Sequence, residues 1–188
     1  KRVVAWSSMS HVGLIAAGLF TMSEAGLQGG FVQMFNHGIN VVGLFLVADI
    51  LEKRLKTRDI TTMGGIASKA PIFALLSFII VCGAMAVPLT NGFPGELLLL
   101  KSVFTYNAWL GAFAGLTIIF CAVYMLRIFQ LVMFGGTKPS TEHFEEVNSI
   151  EGVSLGIVAF FVVILGIFPQ SILDMSGSAV KSFLGFVG

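Results

Sequence analysis

Charged residues, cysteines and clusters of basic residues are all scarce in this sequence of 188 residues. Only 11% of the residues are charged and 56% are hydrophobic, whereas soluble proteins contain roughly 25% charged residues. So few charges cannot cover a water-soluble domain, and the apolar excess excludes intrinsic disorder. The net charge of +1 and the lack of a basic block exclude nucleic acid as a partner. We therefore expect an integral membrane protein whose solvent is the lipid bilayer.

The two cysteines, Cys82 and Cys121, lack C-x-x-C spacing and lie in apolar runs. This spacing excludes a disulfide framework and disfavours a zinc site, so we interpret both residues as small packing residues. The glycine pairs of the sequence carry no nucleotide-binding fingerprint. We expect neither a cofactor nor a metal ion in this chain.

Long apolar runs predict an all-α protein, a polytopic transmembrane helical bundle of about five spans in one membrane domain. About 20 helical residues cross the hydrocarbon of a bilayer, and the short alternating segments of a barrel are absent. The tail is either an interfacial helix or the stub of something longer. The expected spans are residues 3–22, 27–50, 70–104, 109–134 and 152–169, followed by the tail at 170–188.

The third span, residues 70–104, is expected to be a discontinuous helix. Its 35 residues would form a straight helix of roughly 50 Å, which is longer than the bilayer is thick. Pro88, an Asn-Gly pair and Pro94 interrupt it, so we expect the break near 88–94 and Glu96 near the third position of the second half. Discontinuous helices of this kind build ion sites in many transporters.

Glu96 has two competing interpretations. As a helix-start acid it would contribute about 0.3–1 kcal/mol, but a charge at the centre of the bilayer costs about 2.5–3.5 kcal/mol. Capping alone does not offset that cost, so we expect Glu96 to face the interior of the bundle and to titrate. Lys101 lies five residues further on, and its role as a partner or as a snorkelling side chain stays open. For Arg127 we expect snorkelling to the interface.

Two polar stripes cross the predicted first and second spans at helical spacing. The stripe of the second span comprises Gln33, Asn36, His37 and Asn40, and the stripe of the first comprises Ser7, Ser10 and His11. In lipid such faces must point into the protein, where polar side chains bond across helices. A single histidine there would be structural, but two at matching depth beside a broken helix favour a proton relay. The amides and hydroxyls would support this polar axis.

The basic residues predict the orientation. They cluster in the loops on one side of the membrane, which we call the basic side: Lys1, Arg2, Lys53, Arg54, Lys56, Arg58, Lys69 and Lys138. We expect the basic side to be cytoplasmic and the C-terminus to lie on the opposite side. A signal peptide at the start is an alternative, but polar residues interrupt its apolar core and no cleavage site follows. We expect the chain to be a piece of a longer multi-span protein.

Several motifs together resemble the antiporter-like subunits of proton-pumping NADH:quinone oxidoreductase (complex I), of the M (chain 4) type. The segment KRVVAWSSMSHVG at 1–13 resembles the family pattern KR-x-x-A-Y-S-S-x-S-H-x-G. The motifs HG at 37–38, TRD at 57–59, MGG at 63–65 and NGFPGE at 91–96 follow in the family's order. The resemblance covers essentially the whole chain.

This resemblance implies the last five spans of a protein built from two inverted repeats, each with a broken helix. It implies that Glu96 is the protonatable residue on the exit side, where sibling subunits usually carry Lys. His11 and His37 match histidines of the central hydrophilic axis, whereas Lys101 matches no expected residue. The family's earlier Glu–Lys pair and central Lys would precede Lys1, so this chain would hold at most half of a proton path.

The resemblance also implies partners and a location: the L-like and N-like antiporter subunits of complex I in a bacterial inner membrane. The chain itself would have no redox site. Three alternatives stay open. They are a subunit of a related cation/proton antiporter or membrane-bound hydrogenase, a cytochrome b with His11 and His37 as haem ligands, and a purely structural anchor.

Overall fold

The chain is all-helical over the part that the structure describes, which confirms the predicted fold class. The structure is a computed structural model that describes residues 1–187, with side chains through residue 185. The helices are α1 (Arg2–Phe20), α2 (Glu24–Leu55), α3 (Ile66–Lys69), α4 (Pro71–Ala84), α5 (Gly92–Tyr106), α6 (Ala108–Met133), α7 (Ser149–Ile167) and α8 (Gln170–Val187), with a short 3-10 turn at Ile60–Thr62.

Four helices, α1, α2, α6 and α7, are long and apolar enough to cross a membrane. The α4 and α5 helices have 14 and 15 residues, so each is shorter than the roughly 20 residues that a crossing needs. Together they are long enough for one interrupted crossing. Outward side chains such as Trp6, Phe113 and Phe160 are more than half exposed, and apolar surface of this extent marks contact with a membrane or with another protein. The protein is therefore an integral membrane protein with a polytopic helical bundle.

Side-chain caps fix where several helices begin. Ser23 accepts a backbone N–H bond at the start of α2, Asn107 accepts two at the start of α6, and Asn148 forms a capping box at the start of α7. The α2 helix ends at Lys56, which adopts a left-handed conformation. Because its cap and charged last turn extend it at both ends, α2 is longer than the predicted span at 27–50.

The helix break falls at residues 85–91, earlier than the predicted 88–94. Ala86 is left-handed, with a φ of 52°, and the N–H groups of Ala86 and Val87 bond back to carbonyls of the last turn of α4. This arrangement is a Schellman motif, which is usually signalled by Gly or Asn at the left-handed position. An alanine gives no such signal. A prediction based on the prolines therefore places the break too late in the chain.

The second half-helix restarts at Gly92, which corrects the predicted position of the acid. Pro94 is the third residue of α5, and Glu96 is the fifth rather than near the third. Phe93 N donates to Thr90 O at 3.1 Å, so the turn begins before the proline. Pro94 therefore lies within the first turn, where its missing N–H is still tolerated.

The α7 helix supports the break from one side. Asn91 N donates to Val162 O at 2.8 Å, which is a backbone hydrogen bond between the break and the middle of α7. One turn further along, a Cβ atom at Gly166 would lie 2.3 Å from Leu89 O. The absence of a side chain at Gly166 thus lets the two backbones touch, and the break is held by direct backbone contact.

The α2 helix lies at the centre and packs against α1, α4, α5, α7 and α8. It approaches α5 closely because both helices have glycines at their contact. A Cβ atom at Gly29 would lie 3.0 Å from Leu99 N, and one at Gly95 would lie 2.9 Å from Gln33 Cβ. Small residues allow such close contact between membrane helices. The contact brings the polar stripe of α2 onto the start of α5.

On the basic side, one arginine connects α2 to the start of α7. Arg54 forms a 2.5 Å ion pair with Glu151 and donates to the carbonyl of Glu146 at 3.1 Å. Its guanidinium also lies 5.2 Å from the ring centroid of Phe144. These contacts fix the long loop before α7 against the end of α2.

Glu146, in the same loop, caps the start of α4. Its carboxylate accepts the N–H of Ile72 at 2.9 Å and that of Phe73 at 3.0 Å, two groups that a helix start leaves without internal partners. Burial raises the pKa of Glu146, but the backbone N–H groups of Val147, Ile72 and Phe73 together outweigh it, so the pKa lies below the ordinary 4.5.

Replacing Glu146 with Ala is expected to reduce the free energy of unfolding by about 1 kcal/mol at neutral pH, the usual effect of losing a helix cap. Because the pKa is lowered in the folded state, this contribution is present above the ordinary carboxyl pKa. It is lost as the pH falls through the lowered pKa. Thermal unfolding of the detergent-solubilised protein at several pH values measures both effects. The matched control is Glu145→Ala, and equal destabilisation by both variants, or a difference that persists in acid, would contradict the assignment.

The tail forms a helix that lies against the opposite side of the bundle. Ile172, Ser176 and Val180 of α8 are buried, four residues apart, while Met175 and Phe183 are largely exposed. Gln28 Nε2, near the start of α2, donates to Leu173 O at 3.2 Å. The α8 helix therefore packs one face on the bundle.

Candidate functional site: a buried acid and two histidines at the helix break

Glu96 lies in the interior, where three helices meet. Its side chain is 2% exposed, and Oε1 accepts a hydrogen bond from Gln33 Nε2 at 3.1 Å. The same oxygen lies 2.9 Å from His11 Nδ1. A buried carboxylate needs such partners, because an unpaired charge in a low-dielectric interior is costly. The α5, α2 and α1 helices thus converge on one carboxylate.

The two membrane histidines touch each other. The ring centroids of His11 and His37 are 5.1 Å apart, and the rings come from α1 and α2. His37 Nε2 lies 2.9 Å from Ser8 Oγ, back on α1. A row of titratable and hydroxyl groups therefore runs from Glu96 through the two imidazoles to Ser8.

Three asparagines tie α2 to the break. Asn36 Nδ2 donates to Asn91 O at 2.7 Å, and Asn91 Nδ2 donates to Asn36 O at 3.2 Å. Asn40 Nδ2 donates to Gly83 O at 3.0 Å, in the last turn of α4. Side chains of α2 thus satisfy backbone carbonyls that the interruption of the helix leaves free.

Four amide oxygens of this region lack a protein donor among the described residues: Gln33 Oε1, Asn36 Oδ1, Asn40 Oδ1 and Asn91 Oδ1. All four side chains are at most 3% exposed. Buried acceptors of this kind are the groups that bind ordered water in protein interiors. The helix break is therefore polar enough to hold water between the titratable groups.

The structure brings together most, but not all, of the residues selected from the sequence. The cluster contains Glu96, His11, His37, Gln33, Asn36 and Asn40, with Ser7 buried beside it. Ser10 is exposed but lines a small pocket with His11 and Glu96, and Ser8 is the hydroxyl residue beside His37. Lys101 is exposed on α5 and Arg127 is exposed on α6, so neither joins the cluster.

Sequence reasoning missed four residues of the cluster: Ser8, Asn91, Cys121 and Tyr124. Cys121, interpreted as a packing residue, lies with its Sγ 3.6 Å from His11 Nε2. The Tyr124 hydroxyl lies 2.8 Å from Ser7 Oγ. Asn91 belongs to the motif NGFPGE, which predicted the break and the family resemblance but gave this residue no role in the site. The three-residue spacing of Cys121 and Tyr124 on α6 is a signal that could have found them.

Within residues 1–187, no group of three or more His, Cys, Asp and Glu side chains is arranged to hold a metal ion. The ring nitrogens of the cluster face other side chains: Nδ1 of His11 faces Glu96 and Nε2 of His37 faces Ser8. The chemistry that this arrangement offers is the transfer of protons between neighbouring groups.

The fold and the site together define a polytopic helical membrane protein in which an interrupted helix holds a buried acid against a row of polar side chains. Residues 1–122 match the family described as NADH:quinone oxidoreductase/Mrp antiporter, TM. The chain belongs to this family of transmembrane proteins.

Individual relatives agree with this membership. The chain is 36% identical over 185 residues to NADH-quinone oxidoreductase subunit M of Rickettsia conorii, covering 98% of this chain and 38% of that protein. It is 32% identical to subunit M of Pseudomonas aeruginosa, covering 100% of this chain and 37% of that protein. The chain thus spans little more than a third of the length of the curated relatives that it matches.

Solved structures share the fold. A chain of respiratory complex I from Thermus thermophilus, solved with bound NADH, superposes with a TM-score of 0.87 at 28% identity, covering 98% of this chain and 39% of that chain. A chain of the Mrp complex from Dietzia superposes with a TM-score of 0.85 at 18% identity, covering 95% of this chain and 41% of that chain. The second likeness concerns the fold alone.

Proposed function

We propose that this chain carries part of a proton path in the membrane domain of a complex I, as a piece of a subunit of the M type. The observation that carries the proposal is the placement of Glu96, whose buried carboxylate lies 2.9 Å from the His11 imidazole at a helix break. Membership of the family and the names of the relatives support it. The proton is the cargo, and the path uses no cofactor of this chain.

The proposed elementary step is a proton transfer from His11 to Glu96. Protonated His11 donates its Nδ1 proton to Glu96 Oε1, so the imidazole becomes neutral and the carboxylate becomes a neutral acid. The 2.9 Å separation is within the range in which a side chain transfers a proton directly. Gln33 donates to the same oxygen, which orients the carboxylate and stabilises its ionised form.

Repulsion between the two imidazoles gives the transfer a direction. Two unit charges 5.1 Å apart interact by about 3 kcal/mol at an effective dielectric constant of about 20. The pair therefore carries one proton at a time. A proton that arrives on His37 drives the proton of His11 toward Glu96, from which it is released toward the opposite side.

The polar side chains around the histidines supply the rest of the path. One interior cavity is lined by Ser7, Ser8, His11, His37 and Asn40, together with apolar residues. Water held there by hydroxyl and amide oxygens would connect His37 to the helix break. Lys101 and Ser10 lie outside this cavity, and the proposed path does not use them.

The proposed setting follows from the relatives and from the charges. We assign the subunit to a bacterial inner membrane, beside L-like and N-like antiporter subunits, with its basic side in the cytoplasm. Lys1, Arg54 and Lys138 all lie at this basic side, where Lys1 pairs with Glu52 at 2.9 Å. The position of the α8 helix against the opposite side supports a C-terminus outside the cytoplasm.

The runner-up is a cation/proton antiporter subunit, which is favoured because the matched family also includes Mrp antiporters. Turnover of NADH and quinone by the assembled complex in proteoliposomes separates the two functions. We expect the initial rate of proton pumping to be the same with and without Na⁺, because the site consists of titratable groups. A pumping rate that requires Na⁺ would overturn the proposal in favour of cation exchange.

A further inference from the structure

The α6 helix contributes a thiol and a phenol to the histidine site. Cys121 and Tyr124 lie almost one turn apart and both face α1. Cys121 Sγ is 3.6 Å from His11 Nε2, and the Tyr124 oxygen is 3.2 Å from Cys121 Sγ and 2.8 Å from Ser7 Oγ. These contacts lie on the side of the His11 ring that is opposite to Glu96.

We propose that Cys121 and Tyr124 are positioning residues for proton transfer, holding the His11 imidazole in the orientation that faces Glu96. This inference rests on the proposed function and adds two residues of α6 to the proton path. Each nitrogen of His11 then has one defined partner: Nδ1 has the Glu96 carboxylate and Nε2 has the thiol.

A thiol suits this position because it can both donate and accept a hydrogen bond. When His11 has passed its Nδ1 proton to Glu96 and is neutral, Nδ1 accepts from the protonated carboxyl group, and Nε2–H donates to Cys121 Sγ. When His11 is protonated, both ring nitrogens donate. The Sγ atom then accepts from Nε2–H, and the thiol proton turns toward the Tyr124 oxygen. Both protonation states thus keep the same ring orientation.

The Tyr124 hydroxyl connects this pair to α1. It can accept from Cys121 and donate to Ser7 Oγ, so a continuous row of short contacts runs from Ser7 through α6 and His11 to Glu96. The titratable groups that face His11 are Glu96 from α5, His37 from α2, and Cys121 with Tyr124 from α6. Losing either residue of α6 leaves the ring free to turn away from the carboxylate.

The test uses the assembled complex with the full-length subunit, and it measures the initial rate of proton pumping as a function of pH. Cys121→Ala is expected to lower the rate about three- to tenfold and to shift the midpoint of the pH profile to lower pH by about half a unit to one unit, because the protonated ring loses an acceptor. Cys121→Ser keeps a group that donates and accepts, so it should restore most of the rate. The pumping rate of Tyr124→Phe should lie between the rates of wild type and Cys121→Ala.

Cys82→Ala and Tyr106→Phe are the matched controls, because Cys82 lies on α4 outside the cluster and Tyr106 is 70% exposed. Both controls should have the pumping rate and the pH profile of wild type. The inference is overturned if Cys121→Ala and Tyr124→Phe match the controls in rate and pH profile, or if Cys121→Ser is as impaired as Cys121→Ala. Glu96→Gln is measured alongside: if it also pumps normally, the proposed function fails, whereas normal behaviour of the α6 variants alone defeats only this inference.

Discussion

Replacing Glu96 with Gln is expected to lower proton flux through this subunit by about a hundredfold or more, since a positioned acid–base group contributes on the order of 10²–10⁴ in rate. Glutamine has nearly the same shape and can still accept the hydrogen bond that Gln33 donates to Oε1. It cannot take up or release a proton. The fold should therefore persist while the transfer from His11 stops.

The measurement for Glu96→Gln is the proton-to-electron ratio of the assembled complex in proteoliposomes, with assembly checked by subunit content. Glu142→Gln is the matched control, because Glu142 is an exposed acid in the loop on the basic side. The control should keep the wild-type ratio. A wild-type ratio in Glu96→Gln as well would remove Glu96 from the path.

Replacing His11 with Gln is expected to lower the pumping rate by about tenfold to a hundredfold. Glutamine can donate an N–H bond to Glu96, so the 2.9 Å contact can be kept in a neutral form. However, it cannot hold the proton that arrives from the His37 side. The defect should therefore be kinetic, with the complex assembled and stable.

His143→Gln is the control for His11→Gln, since His143 is exposed in the loop before α7. The double variant Glu96→Gln/His11→Gln should pump protons only slightly more slowly than Glu96→Gln alone. Residues that act as one unit have non-additive effects on the rate. Independent, multiplicative losses would show that the two residues serve separate paths.

The polar stripe on α2 could be predicted because its spacing alone fixes which side chains share a face. Gln33, Asn36 and Asn40 all point inward, as any polar face of a membrane helix must. In α1 the same argument selected Ser7, Ser10 and His11, of which Ser7 and His11 are buried. It passed over Ser8, which lies beside His37. Several neighbouring polar residues allow more than one inward face, and only packing against α2 and α5 decides between them.

The existence of the helix break was predictable, but its limits were not. Pro94 and the Asn-Gly pair predict an interruption of the helix close to these residues. The first half-helix stops at Ala84 because Ala86 adopts a left-handed conformation, supported by backbone contact between Leu89 and Gly166. Such support comes from tertiary packing, which no local pattern encodes.

The contribution of α6 was hidden for a chemical reason. A cysteine in an apolar run is far more often a packing residue than a partner of a histidine, and the tyrosines of membrane helices are enriched at the interfaces rather than in buried sites. Their role depends on the rotation of α6 about its axis, which places both against α1. The sequence therefore predicted the acid and the two histidines, while the partners that orient them required the fold.

Infrared difference spectroscopy of the assembled complex, recorded between resting and turning-over states, tests most directly whether Glu96 exchanges a proton. The account predicts a carboxylic-acid band that changes during turnover in wild type and in Glu142→Gln. That band should be missing from the difference spectrum of Glu96→Gln. Identical difference spectra for wild type and Glu96→Gln, with both complexes pumping, would show that this buried carboxylate keeps one protonation state and would contradict the account.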